Sequence, residues 1–196
     1  MFLTRNQKIK TSDAASDDGG GMNEVDDILD EAPFYIEQVA IRQVKDKVYY
    51  SKTPITTPKA AIDVFGEMLR FYDREVMGIV NVDANMTPIN VHICSMGSLD
   101  RTIVNPREML KASILSNAIG VVMIHNHPSG NVEPSEQDIY ITKRMAAVYG
   151  LMGIELMDHL IVGNAETYYS FAESREMPKN DITFNNLINQ YTGLEI

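Results

Sequence analysis

The sequence contains one cysteine and no tryptophan. The single thiol, Cys94, cannot form a disulfide within the chain, and a chain without disulfides fits a reducing compartment. No apolar run approaches the roughly 18 residues that a membrane-spanning helix needs. The first ten residues, MFLTRNQKIK, also lack the apolar core of a secretory signal peptide. These absences predict a soluble, cytoplasmic protein that does not enter a membrane.

Lysine and arginine are scarce relative to acid, 17 against 27, and the net charge is −10. Because binding to nucleic acid through bulk charge needs a basic surface, this composition disfavours it. The acid is concentrated in residues 11–33, which hold eight acidic residues and no lysine or arginine. Such a segment buries too little apolar surface to offset its ordering entropy, so residues 1–33 are predicted to form a disordered acidic tail. Half of the net charge, −5, lies in that tail.

After residue 33 the apolar pattern alternates between the spacing of strands and the spacing of helices. A turn at 83–87 joins two strands as a predicted hairpin. The segments with extended character are Tyr35–Tyr50, Glu75–Val82, Pro88–Cys94, Ile119–Ile124, Ile154–Val162 and Tyr168–Phe171.

Helices are predicted where a capping residue precedes an apolar stripe. Thr57-Pro58 and Asn105-Pro106 each place an N-cap residue before a proline at the first helical position. In the second of these helices, Leu110 and Ile114 are expected to face inward.

A third helix, Ser135–Tyr149, is expected to end at Gly150. Together these segments predict a mixed α/β domain over residues 34–177, in which helices flank a mixed β-sheet. Residues 178–196 form a C-terminal extension, with one further helix expected around Phe184–Ile188.

Chemistry-bearing residues follow the buried strand. In an extended segment, residues i and i+2 point to the same side, so His125 and His127 can present two imidazoles to one point. Asp138 shares a helix face with Ile141 and Met145, and a carboxylate turned inward is costly unless it is paired or binds a metal. Two histidines and one carboxylate make a three-ligand metal site with a fourth position open, as in catalytic zinc sites.

Each part of this pattern also has a structural interpretation. Ser135-x-x-Asp138 is the sequence of a helix capping box, with serine at the N-cap and an acid three residues later. A His-x-His pair at a strand end can also be a polar turn. Capping and metal binding are compatible, with Ser135 starting the helix while Asp138 turns to the metal.

The pattern His-x-His-x7-Ser-x2-Asp resembles the JAMM signature of JAB/MPN-domain metalloproteins. The wider context resembles the bacterial RadC-like branch of that family, from about Glu75 to Phe171, roughly half of the chain. The motifs that carry the resemblance, in order, are Asn105-Pro106-Arg107-Glu108, His125-Asn126-His127-Pro128-Ser129-Gly130, Pro134-Ser135, and Asp158-His159 followed by Tyr169-Ser170-Phe171.

The resemblance implies a cytidine-deaminase-like α/β fold, the JAB/MPN domain, with Zn²⁺ bound by His125, His127 and Asp138. It also implies a general acid/base glutamate on an upstream strand, and the matching position is Glu75. Zinc lowers the pKa of its water and polarises a carbonyl. Glu75 would then shuttle the proton, and Ser135 would donate a hydrogen bond to the developing oxyanion. These roles predict hydrolysis of an amide or isopeptide bond in a peptide or protein substrate.

Two departures from the family keep other functions open. Full-length RadC-like proteins carry an N-terminal helix-hairpin-helix region associated with DNA contact, and here the acidic tail takes that place. Eukaryotic JAMM isopeptidases mostly have serine or threonine where this chain has Asn126. A DNA-processing factor and a catalytically silent scaffold that binds a partner therefore remain alternatives. The DNA interpretation requires four basic residues to gather at the rim of the site: Arg101, Arg107, Lys143 and Arg144.

Other zinc and nuclease chemistries lack their residues. A zinc nucleobase deaminase needs H-x-E and P-C-x-x-C, which one cysteine cannot supply. The H-E-x-x-H helix of thermolysin-type proteases is absent, and an amidohydrolase barrel needs a longer chain and more histidines. The residues of an HNH nuclease are dispersed over a ββα unit and do not occur as consecutive letters.

Three further residues are assigned structural roles. His92 is expected to be a polar or interface residue on its strand. His159 is expected to make a structural hydrogen bond, and Cys94 to be a small packed residue.

Overall fold

A computed structural model describes residues 44, 46–97, 105–164 and 166–179. Every described residue belongs to one compact unit of the backbone. The predicted acidic tail and the predicted helix at Phe184–Ile188 lie outside the described residues. Within the described part, no helix has the length and apolar character needed to cross a membrane.

The centre of the fold is a five-stranded mixed sheet with the order β2-β1-β3-β4-β5. Strands β3 and β4 are parallel, and the other neighbouring pairs are antiparallel. This confirms the predicted mixed α/β class. The strands are β1 Val76–Val82, β2 Pro88–Met96, β3 Gly120–Asn126, β4 Glu155–Val162 and β5 Tyr168–Ser170.

Three helical segments flank the sheet. The first, α1, covers residues 58–69 and contains a π-helical stretch, Ile62–Gly66, between two short α-helical pieces. The second is α2 Pro106–Leu115, and the third is α3 Glu136–Leu151. The two proline starts are confirmed, since the side chains of Thr57 and Asn105 each accept a backbone N–H of the first turn.

Two predicted details of the helices are wrong. Gly150 lies inside α3, and the left-handed residue is Gly153, with φ 70°. A backbone hydrogen bond from Ile154 N to Tyr149 O (3.0 Å) closes the helix around Gly153, a position that favours glycine because it has no Cβ. In α2, Ile114 is 50% exposed, whereas its neighbour Ser113 is fully buried.

Ser113, and not Ile114, occupies a buried position on the inward face of α2. Its hydroxyl donates to Asn81 Oδ1 on β1 at 2.7 Å, so a polar residue occupies the buried position. Asn81 is fully buried and donates in turn to Asn90 Oδ1 on β2 at 2.7 Å. An apolar pattern cannot reveal a helix that docks through hydrogen bonds, so the prediction is wrong for Ile114, whereas Leu110 does pack against the core.

The described part of the predicted extended segment Tyr35–Tyr50, residues 44 and 46–50, contains no strand. Tyr49 instead packs edge-on against Phe65 of α1, with ring centroids 5.9 Å apart. Among these described residues, Tyr49 therefore contacts the core through its side chain, and none of them adds a strand to the sheet.

Both faces of the sheet are covered, which explains why β1 and β3 are buried along their whole length. On one face, Phe65 of α1 packs against β1, and a Cβ on Gly78 would lie 2.2 Å from its ring. On the other face, Met145 and Tyr149 of α3 pack against Met123 of β3. The predicted site residues lie on this second face, at the C-terminal end of β3.

Candidate metal centre

Three side chains meet where β3 ends and α3 begins. His125 lies near the end of β3, His127 follows two residues later, and Asp138 lies in the first turn of α3. Their ligand atoms all lie within 4.8 Å of one another. Nε2 of His125 is 3.0 Å from Nε2 of His127 and 3.1 Å from Oδ1 of Asp138. The structure therefore brings together the three residues that the sequence predicted as ligands.

The turn after β3 fixes which nitrogen of His127 carries its proton. Gly130 adopts φ 81°, and its N–H donates to the carbonyl of His127 at 2.9 Å. The chain then returns so that the carbonyl of Asn131 lies 2.6 Å from Nδ1 of His127. A carbonyl can only accept, so Nδ1 carries the hydrogen and Nε2 of the neutral ring presents a lone pair to the centre.

Ser135 and Asp138 form a complete capping box at the start of α3. The backbone N–H and the hydroxyl of Ser135 donate to Asp138 Oδ2 at 2.8 and 2.6 Å. The N–H of Asp138 lies 3.2 Å from the Ser135 hydroxyl oxygen and donates to it. The same carboxylate therefore caps the helix and faces the two histidines. The single hydroxyl proton of Ser135 is directed at Asp138, so donation to an oxyanion would require the hydroxyl to turn away.

The electrostatics of the centre favour a positive charge between its members. Burial acts to raise the pKa of Asp138, but hydrogen bonds from the protonated forms of His125 and His127, and from Ser135, outweigh it and hold that pKa well below its usual range. Burial acts to lower the pKa of His127, yet the net shift is upward because of Asp138, the Asn131 carbonyl and the charge of Glu75. A proton or a metal ion would satisfy this arrangement.

The donor set suits a metal ion. Two imidazole nitrogens and a carboxylate oxygen point at each other, and lone pairs at such distances repel unless a proton or cation lies between them. Nitrogen and carboxylate ligands of this kind bind Zn²⁺. His125, His127 and Asp138 could therefore hold a metal ion, and their geometry leaves the nature of that ion open.

Glu75 immediately precedes β1, on the same side of the sheet as the histidines. In the antiparallel pairing of β1 with β3, Met77 lies opposite His125. Continuing that register by two residues places Glu75 opposite His127, and opposite residues of an antiparallel pair share a face. Glu75 is half-buried, and its charge contributes to the raised pKa of His127. Glu75 therefore borders the centre, while its catalytic role stays a prediction.

Asn126 lies between the two histidines and has a structural role that the sequence pattern does not predict. Its side chain points to the other face and is 1% exposed. Its Oδ1 accepts the N–H of Val76 at 2.8 Å, and its amide nitrogen donates to the carbonyls of Arg74 (3.0 Å) and Tyr72 (3.4 Å). Asn126 therefore fastens the segment that carries Glu75. The sequence feature that could have indicated this role is a polar residue at the end of an otherwise apolar, buried strand.

Several other predicted residues are placed away from the three ligands. Lys143 and Arg144 are exposed on α3, on the side away from the buried stripe that contains Asp138. Arg107 is exposed on α2, and Arg101 lies outside the described residues. The described basic residues therefore give the DNA interpretation no support at this site.

The two remaining structural predictions can also be compared with the structure. Cys94 is packed against the second core face, and burial raises the pKa of its thiol. His159 is fully buried, and its Nε2 lies 2.9 Å from Nδ1 of His125. Both interpretations, a packed cysteine and a hydrogen-bonding histidine, agree with these positions. His92 is half-buried on the edge strand β2, and its predicted interface role stays a prediction.

Comparison with known proteins places this geometry in a family. The model of the RadC-like JAB domain matches residues 55–177. The chain belongs to the RadC-like JAB domain family. The matched range contains the strands, the helices and every predicted site residue described above.

The chain is also similar to curated proteins of several organisms, each named a UPF0758 protein. A UPF0758 protein of Salinibacter ruber is 40% identical over 119 residues, which cover 61% of this chain and 51% of the relative. A UPF0758 protein of Clostridium acetobutylicum is 37% identical over 124 residues, or 63% and 54% of the two chains. One of Pseudomonas fluorescens is 38% identical over 115 residues, or 59% and 51%. The chain thus spans about half the length of these curated relatives.

Proposed function

We propose that this RadC-like JAB domain is a zinc-dependent hydrolase that cleaves an amide or isopeptide bond in a peptide or protein. The observation that carries the proposal is the convergence of His125, His127 and Asp138 within 4.8 Å, with the proton of His127 held on the nitrogen that faces away. Because the curated relatives are about twice as long as the shared domain, the activity is proposed for the domain alone.

Zinc is the proposed ion because of the ligand types. Two neutral imidazoles and one carboxylate match the three-ligand sets of catalytic zinc sites, which keep a fourth position for water or substrate. Zinc in such a site supplies a Lewis acid that polarises a carbonyl and makes water acidic near neutral pH. A structural zinc site would use four protein ligands, and the described residues bring three to this point.

Glu75 is proposed as the general base and then the general acid. Its position opposite His127, half-buried at the start of β1, supports this role. The carboxylate accepts a proton from the water that attacks the carbonyl carbon. When the C–N bond breaks, Glu75 returns that proton to the departing amine nitrogen. The products are a carboxylic acid, which releases its remaining proton to solvent near neutral pH, and an amine, and Glu75 regains its starting charge.

Ser135 is proposed to act first through Asp138. Its hydroxyl and N–H orient one oxygen of the carboxylate, which leaves Oδ1 directed at His125. The predicted hydrogen bond to an oxyanion requires the hydroxyl to leave Asp138 during the reaction. Replacement of Ser135 therefore tests two roles, one visible in metal binding and the other only in turnover.

The experiment is a peptidase assay on zinc-loaded protein with a peptide and isopeptide library, comparing the wild type with Glu75→Gln. The amide variant keeps the shape of the side chain and removes the proton acceptor, so turnover should fall by about 10²–10⁴-fold while bound zinc stays unchanged. Turnover of the same substrate by Glu75→Gln at the wild-type rate would contradict the assignment. Partner binding that persists in a zinc-free protein without turnover would instead favour the scaffold alternative.

A further inference from the structure

We propose that His159 and Thr142 are positioning residues that fix the protonation pattern of His125 and thereby set the metal affinity of the centre. The inference rests on the proposed function, because it assumes that His125 is a metal ligand. The Thr142 hydroxyl meets Asp138 at its backbone carbonyl rather than at its carboxylate, so both residues act on the ligand atoms through His125.

The contacts form a chain that runs from α3 through β4 to β3. The hydroxyl of Thr142 lies 2.5 Å from the carbonyl oxygen of Asp138, one helical turn earlier. The same hydroxyl oxygen lies 2.6 Å from Nδ1 of His159. Nε2 of His159 lies 2.9 Å from Nδ1 of His125, and Nε2 of His125 faces the centre.

The direction of each hydrogen bond follows from counting protons. The carbonyl of Asp138 can only accept, so Thr142 donates its single hydroxyl proton to that carbonyl. The hydroxyl oxygen must then accept from Nδ1 of His159, which places the proton of that neutral ring on Nδ1. Nε2 of His159 is left with a lone pair and accepts from Nδ1 of His125. His125 therefore keeps its proton on the outer nitrogen and presents a bare Nε2 to the metal.

The hydrogen bonds between Thr142 and His159 and between His159 and His125 can determine the protonation of His125 because they are buried. His159 is fully buried and Thr142 is 1% exposed, so solvent cannot substitute for a missing partner. The ring of His159 is stacked on Phe171, with 9° between the planes and 5.1 Å between centroids. Packing against that ring opposes rotation of His159, and the orientation of His125 follows from it. Hydrogen-bonding partners of metal-ligating histidines commonly change metal affinity by about 10–100-fold when they are removed.

Thr142 offers a matched pair of variants. Thr142→Val has nearly the same shape but removes both the donor and the acceptor, whereas Thr142→Ser keeps both. Zinc affinity of the full chain would be measured by competition with a chromophoric chelator. We expect Thr142→Val to bind zinc about 10–100-fold more weakly and Thr142→Ser to remain near the wild type. Equal affinity of Thr142→Val and the wild type would overturn the proposal.

A second measurement on the wild type separates this proposal from the proposed function. Long-range ¹H–¹⁵N NMR spectra of the imidazoles in chelator-treated protein report which nitrogen of each ring is protonated. We expect a proton on Nδ1 of His159. A proton on its Nε2 would overturn the proposed relay, which is the series of hydrogen bonds that joins Thr142, His159 and His125, even if Thr142→Val fails to fold. If the wild type binds no zinc, the proposed function fails and the metal-affinity claim fails with it. If the wild type binds zinc and Thr142→Val binds it equally well, only the relay fails.

Discussion

Ser135 and Asp138 are joined by reciprocal hydrogen bonds that start α3 and orient a carboxylate toward the metal centre. Asp138 is therefore both the second member of the capping box and the candidate metal ligand. Helix formation at this point therefore also builds the third member of the centre. A change in the cap should be visible both in stability and in metal binding.

Replacement of Ser135 tests that coupling. Ser135→Ala removes the hydroxyl and should lower the free energy of unfolding by about 1 kcal/mol, the usual effect of losing an N-cap. It should also weaken zinc binding, because Oδ2 of Asp138 loses one of its two hydrogen bonds from Ser135. Ser135→Thr keeps the hydroxyl and is the control. Chemical unfolding and chelator competition are the measurements, and zinc affinity of Ser135→Ala equal to that of the threonine variant would contradict the coupling.

Asn126 should matter for the segment around Glu75 and little for the ligands. Asn126→Ala leaves the buried N–H of Val76 without its acceptor, at a cost of about 1–3 kcal/mol. Asn126→Asp keeps an acceptor for Val76 but faces the carbonyls of Arg74 and Tyr72 with a group that cannot donate. We expect both variants to speed hydrogen exchange at Val76 while zinc affinity changes little. Slow exchange at Val76 in Asn126→Ala would show that the segment is held by other contacts.

The turn at Gly130 should control the orientation of His127. Gly130→Ala must adopt φ 81°, and its Cβ would lie 2.9 Å from Nδ2 of Asn164. A left-handed alanine costs about 1–2 kcal/mol, and relief of the strain would move the carbonyl of Asn131 away from His127. Weaker zinc binding and lower stability are expected. Asparagine adopts left-handed conformations more readily, so Gly130→Asn should recover part of the loss. If the alanine variant binds zinc like the wild type, the turn does not orient His127.

The stability of the metal-free protein should depend on pH through His127. Its pKa is raised in the folded state, so its contribution is complete below the unfolded pKa of about 6.5 and disappears as the pH rises through the folded pKa. In chelator, the free energy of unfolding of the wild type should therefore fall relative to His127→Gln as the pH rises from about 6.5 through the raised pKa of the folded state. Asp138 acts in the opposite direction at acid pH. Its pKa is lowered, so its contribution is present above about pH 4 and is lost only as the pH falls toward the folded pKa.

The test compares the free energy of unfolding of the wild type and of His127→Gln as a function of pH, with chelator and with zinc. Zinc binding competes with protons for the same nitrogens, so saturating zinc should abolish the loss of stability with rising pH. Wild-type and His127→Gln curves that stay parallel over this range in chelator would contradict the assignment of the titration to His127.

The sequence predicted those parts of the site that depend on regular periodicity. The two-residue repeat of a strand places His125 and His127 on one side, and the helical repeat places Asp138 on the buried face of α3. Most strands of the sheet and the proline-started helices are found near their predicted positions. These elements carry their signals within a few consecutive residues.

Periodicity does not predict hydrogen bonds between residues that are far apart in the sequence. Ser113 is buried because it contacts Asn81, 32 residues away, and Asn126 holds a segment about 50 residues earlier. His159 reaches His125 only because β4 lies beside β3, and no local pattern shows that contact. The end of α3 was misplaced because Gly150 and Gly153 are both glycines, and only the backbone angle distinguishes the helical residue from the terminating one.

His125, His127 and Asp138 are proposed to form one zinc site. The most direct test is the zinc content of the full chain after equilibration with zinc and gel filtration, measured by elemental mass spectrometry beside Asp138→Asn and His127→Gln. We expect one zinc ion per wild-type chain and a strong loss in both variants. A wild-type chain that retains no zinc, or variants that retain as much as the wild type, would contradict the proposal.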